Sequence, residues 1–107
     1  MSNVYAFFAP RSVRAAKWST PSLLDTALTF LNDYEPVQGW TVSQSGEDAA
    51  EEVFDLTNNP SRDVEREDLQ WDRQSISVGD IVQVDETFYL CEGVGWTKLP
   101  DGIRPPY

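Results

Sequence analysis

The C-terminal third of this chain constrains its fold more than any other part. Residues 76–84 are rich in isoleucine and valine, and residues 87–91 form a second apolar run. The two-residue turn candidate Asp85-Glu86 separates these runs, and residues 93–95, Gly-Val-Gly, lead to a last short run over residues 96–99. Short β-rich runs joined by turn residues are typical of antiparallel hairpins. The pattern therefore predicts a three-stranded antiparallel meander.

Two strands and one helix are predicted in the first 45 residues. Val4–Phe8 is a β-rich run and predicts the first strand. A basic connection over residues 11–19 follows it. Thr20-Pro21 then offers an N-cap hydroxyl and a proline at the first helical position, and leucines at helical spacing predict a helix over residues 21–33. Val37–Val42 predicts the second strand.

A second helix is predicted over residues 46–57. Ser45 stands at the N-cap position, and Ala49, Val53 and Leu56 form an apolar stripe at helical spacing. Most of the other positions of this segment are acidic. Carboxylates in the first turn stabilise a helix through its macrodipole, so helix stability alone explains part of the acid content.

Together these elements predict an α+β fold, a small antiparallel sheet of four or five strands with two helices packed on one face. The length of 107 residues predicts a single domain over residues 1–107. Within it, residues 1–45 form a strand-helix-strand part, and residues 46–107 form a helix, an acidic loop and the meander.

Charge is distributed unevenly along the chain. The formal net charge is −10, from 18 acidic and 8 basic residues. Residues 33–72 alone hold twelve acids against Arg62 and Arg66, which accounts for a local net charge of −10. Such a surface repels nucleic-acid phosphates and anionic membranes, so the sequence predicts neither as a direct partner. It favours a partner protein with a basic surface, and the alternative is an acidic face that only solvates the protein.

The residue inventory excludes several kinds of catalytic site. The chain has no histidine, which removes Ser-His-Asp and Cys-His pairs and the HExxH zinc signature. The single cysteine, Cys91, lies in an apolar run and is predicted to be a packed core thiol rather than a reactive one. The first residues lack a charged segment before their apolar run, and no run is long enough for a membrane span. We therefore expect a cytoplasmic protein.

The acidic residues match no established metal or catalytic pattern. An EF-hand loop that starts at Asp63 would have Asp68 in place of the glycine and Gln74 in place of the last glutamate. A loose divalent-cation site and a glycosidase pair of carboxylates are weaker alternatives, since any acidic chain offers candidates. The sequence thus predicts no catalytic, cofactor-binding or metal-binding residues, and an enzyme that uses carboxylates alone is the least favoured function.

One part of the chain resembles a known kind of module. Ser75–Val82, Ser-Ile-Ser-Val-Gly-Asp-Ile-Val, followed by Phe88-Tyr89 and Val94-Gly95-Trp96, resembles the small YodL-like β module. Residues 50–58 are similar to the helix that often precedes it. The resemblance covers about half of the chain, and it implies an origin in a plasmid, a conjugative element or a phage. It carries no functional residue to this sequence.

The sequence therefore predicts a small, acidic, non-enzymatic accessory protein of a phage or plasmid. We expect it to bind, and to inhibit, a nucleic-acid-handling or defence protein of the bacterial host, of restriction or CRISPR type, by DNA mimicry. The alternative is a structural module that forms a homodimer or larger homo-oligomer through sheet edges and aromatic side chains. The predicted partner-binding residues are acidic apart from one aromatic anchor: Glu47, Glu51, Glu52, Asp55, Asp63, Glu65, Asp68, Trp71 and Asp72.

Overall fold

A computed structural model describes residues 1–16, 21–68 and 75–105 of the protein. The described strands are β1 (Ser2–Phe8), β2 (Glu35–Val42), β3 (Ile81–Val84), β4 (Thr87–Cys91) and β5 (Trp96–Lys98). These five strands form one sheet in the order β2-β1-β3-β4-β5, and every pairing is antiparallel. The predicted α+β class with an antiparallel sheet is thereby confirmed.

The described helices lie between β1 and β3 in the chain. They are α1 (Arg11–Ala16), α2 (Leu23–Thr29), α3 (Gly46–Asn58) and α4 (Asp63–Asp68), and single 3-10 turns cover Leu31–Asp33 and Pro60–Arg62. The helix predicted over residues 46–57 is confirmed almost to the residue. Ser45 occupies its N-cap position, although its side chain makes no capping hydrogen bond.

The meander is confirmed, and β1 joins it to the N-terminal part of the chain. Val84 pairs with Thr87, so Asp85 and Glu86 form the predicted two-residue turn. Asp85 takes the left-handed conformation, with φ of 52°, which aspartate tolerates better than most residues. Because β1 lies between β2 and β3, the parts before and after residue 45 share one sheet.

The two faces of the sheet carry different helices. Register pairs Ala6 with Val82 and Phe7 with Ile81, and alternation along the strands puts these two pairs on opposite faces. The cluster with Ala6 and Val82 includes the buried side of α3. The cluster with Phe7 and Ile81 includes Val13 of α1 and the apolar residues of α2. The sequence had predicted both helices on one face, and the structure separates them because β1 and β3 have apolar residues on both sides.

The connection predicted over residues 11–19 contains a helix in its described part. The backbone N–H groups of Val13 and Arg14 both donate to the carbonyl of Pro10, which starts α1. The predicted N-cap Thr20 lies outside the described residues. In the structure Ser22 is the N-cap of α2, because its hydroxyl accepts a hydrogen bond from the backbone N–H of Asp25. The predicted helix over residues 21–33 is shorter and ends in a 3-10 turn.

Residues 75–80 precede the sheet and form a turn. Ile76 and Val78 belong to the run that predicted the strand, but β3 begins only at Ile81. Gly79 has φ of 98°, and the N–H of Asp80 donates to the carbonyl of Ser77. The positive φ at Gly79 interrupts the extended backbone just before β3, although the Gly79 N–H still donates to the carbonyl of Cys91 in β4.

Candidate protein-binding surface

Helix α3 presents most of the predicted acidic residues on its outer side. Ala49, Ala50, Val53 and Leu56 are buried against the sheet, which leaves the carboxylates on the opposite side. Glu47 and Asp55 are eight residues apart, a rise of about 12 Å along a helix. Five carboxylates in that length give about one charge per 3 Å, close to the roughly 3.4 Å spacing of phosphates along a DNA strand. Four of them line a shallow depression of about 310 Å³ with Gln44.

Arg62 gathers three of the predicted residues into one ion-pair network. Its guanidinium lies 2.7 Å from Glu52, 3.0 Å from Asp55 and 2.7 Å from Glu65. These bonds raise the pKa of Arg62, with the hydrogen bond to Glu65 as the largest cause, and the same bond lowers the pKa of Glu65. The network joins α3 to α4 and neutralises part of the acidic surface.

Glu51 is held in place by an aromatic residue of the sheet. The indole Nε1–H of Trp96 donates to Glu51 Oε2 over 2.8 Å. Phe54, also on α3, meets the Trp96 ring edge-on with centroids 6.1 Å apart. Trp96 is only half-buried. Trp40, in β2, is buried with 7% of its surface exposed.

Three other predicted residues face solvent. Glu47, Asp63 and Asp68 are exposed, and Asp63 accepts a hydrogen bond from the N–H of the adjacent Val64. Asp48, which lies beside Glu47, is equally exposed. In the described part of the chain, Glu47, Asp48 and Asp68 form no ion pair. The predicted residues Trp71 and Asp72 lie outside the described residues.

The described residues contain neither a metal-binding group of side chains nor a membrane-spanning helix. No group of three or more carboxylate or cysteine side chains among residues 1–16, 21–68 and 75–105 could hold a metal ion. None of the described helices is long and apolar enough to cross a membrane. Cys91 is buried with 3% of its surface exposed, so the predicted packed thiol is confirmed.

Sequence reasoning missed a buried carboxylate at the entrance to β3. Asp80 has no exposed surface, and its Oδ1 accepts hydrogen bonds from the Ala9 N–H and the Arg14 guanidinium, each over 2.8 Å. Its Oδ2 accepts from the Ser77 N–H over 2.9 Å. The pKa of Asp80 is raised because burial outweighs these bonds. We call this cluster, formed by Asp80, Arg14, Ser77 and the end of β1, the Asp80 node. Its carboxylate has no contact with solvent, so it stabilises the fold rather than binding a ligand.

A buried tyrosine binds the turn that carries Asp80. The hydroxyl of Tyr34 donates to the Gly79 carbonyl over 2.5 Å, and the side chain is fully buried. Burial, and then the charge of Asp80, raise the pKa of Tyr34 far above its ordinary value. The Ser-Val-Gly-Asp motif over residues 77–80 thus has a structural role here. A lone buried acid with a distant arginine leaves no periodic signal, so Asp80 and Arg14 could not be paired from the sequence.

Comparison with known proteins gives no relative for this chain. No protein-family model, no curated protein and no solved structure matches it. The resemblance of residues 75–96 to the YodL-like module stays a prediction.

Proposed function

We propose that this protein is a non-enzymatic binding protein that docks on the basic surface of a nucleic-acid-handling or defence protein. The resemblance to mobile-element modules suggests a phage or plasmid accessory protein, and the bacterial cytoplasm is then where it acts. Binding would occupy the groove that normally holds nucleic acid and so inhibit the target by DNA mimicry.

The observation that carries the proposal is the spacing and exposure of carboxylates along α3. Their spacing is close to that of the phosphates along a DNA strand, and Asp48, Glu51, Glu52 and Asp55 line a shallow surface depression. Long-range attraction between such a surface and a basic groove speeds association and weakens with salt. Arg62 reduces the charge locally, so Glu47 and Asp48 carry the largest share of unpaired negative charge on α3.

The test is affinity capture from a bacterial lysate, with elution by a salt gradient and identification by mass spectrometry. We expect a nucleic-acid-binding protein that elutes at moderate salt. The captured protein is then titrated with nucleic acid, which should compete for the same surface.

Matched variants make this test specific for α3. Glu47→Gln with Asp48→Asn removes two exposed charges from α3, and Glu86→Gln with Asp101→Asn removes two exposed charges from loops of the sheet. Both variants change the net charge equally, so a difference in their effect on binding would show that the position of the charges on α3 matters. We expect the first to weaken binding by about tenfold and the second by less than about twofold. Equal effects of the two variants would refute the proposal.

A homo-oligomer is the second candidate function, and one groove of the sheet favours it. This groove of about 500 Å³ lies beside β1 and β2, and Tyr5 in it is 47% exposed. Charge opposes this candidate, because each copy carries a net charge of −10. Sedimentation at low and high salt distinguishes the two functions, since an apolar self-interface persists or strengthens as salt rises.

A further inference from the structure

A smaller cleft lies between α3 and the turn that joins β4 to β5. It measures about 190 Å³, and its walls include the aromatic rings of Phe54 and Trp96. Glu51 contributes from α3 and Glu92 from the end of β4. Gly95 also lines the cleft and is exposed, and an added Cβ there would meet nothing within 4 Å. The cleft is therefore open to solvent and combines aromatic walls with two carboxylates.

Both carboxylates of this cleft are held in place and are still able to accept hydrogen bonds. Glu51 Oε2 accepts from the Trp96 indole, and Glu92 Oε2 accepts from the hydroxyl of Thr97. The Oε1 atoms of Glu51 and Glu92 accept no hydrogen bond within the described part of the chain. A carboxylate that is already oriented loses little conformational freedom when a ligand binds it.

The charge of this cleft is uncompensated, unlike that of the Arg62 network. Glu52 and Glu65 share the guanidinium of Arg62, whereas no described arginine or lysine lines the cleft. Two carboxylates beside an indole attract a cation, and the aromatic walls favour one that is planar and weakly hydrated. A guanidinium satisfies both conditions, because it stacks on aromatic rings and donates hydrogen bonds to carboxylates in its plane.

We propose that this cleft binds one arginine side chain of the basic partner protein. The inference rests on the proposed function and makes it more specific, since it names the side chain that anchors the partner beside α3. The guanidinium would donate to Glu51 and Glu92, and the arginine methylene groups would pack against Trp96. Lysine fits less well, because its compact ammonium is strongly hydrated and has no plane to stack.

The test uses a small probe and the full-length protein. Acetyl-Gly-Arg-Gly-amide is titrated into 15N-labelled protein, and the Trp96 indole N–H signal is followed by NMR after assignment with the variant Trp96→Phe. We expect a saturable shift of this signal. The same peptide with citrulline, a neutral isostere of arginine, or with lysine should shift it much less.

Two glutamate variants with the same change in charge control for long-range attraction. Glu92→Gln keeps the size of the side chain and should weaken binding of the arginine peptide by about threefold, on the scale of one accessible ion pair. Glu86→Gln, in the turn between β3 and β4, should leave it unchanged. The inference is overturned if the two variants bind equally well, if the citrulline or lysine peptide binds as tightly as the arginine peptide, or if the indole signal does not shift.

Failure of the proposed arginine site can be distinguished from failure of the proposed function. If Glu92→Gln leaves the captured partner bound as tightly as before while the α3 charge variant weakens it, the cleft inference fails and the proposed function stands. If the arginine peptide binds the cleft but no nucleic-acid-binding partner is captured, the proposed function fails and the cleft remains a site for arginine.

Discussion

Two arginines of this protein, 26% and 18% exposed, each bind carboxylates, and the carboxylates lie in opposite surroundings. Arg14 reaches Asp80, a carboxylate with no exposed surface, whereas Arg62 binds Glu52, Asp55 and Glu65 at the surface of α3 and α4. Burial raises the pKa of Asp80, and hydrogen bonding to Arg62 lowers the pKa of Glu65. The same pair of chemical groups therefore serves the fold at one place and shapes an accessible charged surface at the other.

The two sites differ in what happens to the hydrogen-bond donors when a carboxylate is removed. Without Asp80, the N–H groups of Ala9 and Ser77 would remain inside the protein with no acceptor. Without Glu52, Arg62 would keep Asp55 and Glu65 and would gain water. Unsatisfied buried donors are costly, while exposed ion pairs contribute little because water replaces them.

The largest expected effect comes from removing the buried carboxylate. Asp80→Ala should lower the free energy of unfolding by about 3 kcal/mol, since the N–H groups of Ala9 and Ser77 lose their buried acceptor and Arg14 loses its ion-pair partner. The matched change Asp55→Ala in the Arg62 network should cost less than about 1 kcal/mol. Urea denaturation of both variants measures the two values. Similar losses would show that burial does not separate the two sites.

The turn that carries Asp80 should be the next most sensitive position. An alanine Cβ at Gly79 would lie 3.2 Å from Val13 Cγ1, and φ there is 98°. Gly102 also has positive φ, at 81°, but nothing lies within 4 Å of its Cβ position. We expect Gly79→Ala to cost about 2 kcal/mol and Gly102→Ala about 1 kcal/mol, because both strain the backbone and only the first also crowds α1. Thermal unfolding of both variants tests this, and an equal cost would assign the effect to the backbone alone.

The Arg62 network, in which Arg62 is 18% and Glu52 26% exposed, should respond less to mutation than the buried carboxylate does and more to salt. Arg62→Gln should lower the free energy of unfolding by less than about 1 kcal/mol, and the loss should shrink as salt rises, since screening already weakens the native pairs. The effect is measured by urea denaturation at low and high salt. A large loss that does not depend on salt would mean that Arg62 acts through packing rather than charge.

The smallest effects are shifts in titration, and their signs differ between the two sites. Carboxyl 13C NMR should place the pKa of Asp80 above, and that of Glu65 below, the ordinary values. Arg62→Gln should move the pKa of Glu65 up to its ordinary value, and Arg14→Gln should move that of Asp80 further up, because both arginines favour the ionised form. A pKa of Asp80 below the ordinary value would contradict the assignment of burial as its main cause.

These shifts also fix how each group affects stability as pH changes. The folded-state pKa of Glu65 is lowered, so its contribution is present above the ordinary glutamate pKa and is lost as pH falls through the lowered value. The folded-state pKa of Asp80 is raised, so its ionisation opposes folding and stability rises as pH falls through the raised value. Asp80 still stabilises the fold relative to alanine, since its oxygens satisfy donors that alanine would leave unpaired.

Much of the fold could be predicted because its signals are local. The Asp85-Glu86 turn, the meander and the stripe of α3 each depend on residues that are close in the chain. Helix α1 was missed because Arg11–Ala16 is short and has a single buried residue, Val13. The sides on which α2 and α3 pack depend on strand register, which no single segment contains.

The candidate surface, like the fold, could be predicted in part from the sequence. Sequence alone determined that the acids of α3 lie opposite its apolar stripe, because a helix repeats every 3.6 residues. Only the tertiary structure decided that Arg62 neutralises Glu52 and Asp55, that Trp96 from β5 orients Glu51, and that Glu92 faces the same cleft. Those contacts join residues that are distant in the chain. The physical reason is that helical periodicity depends only on residues close in the sequence, whereas the packing of the whole chain decides which charges become partners.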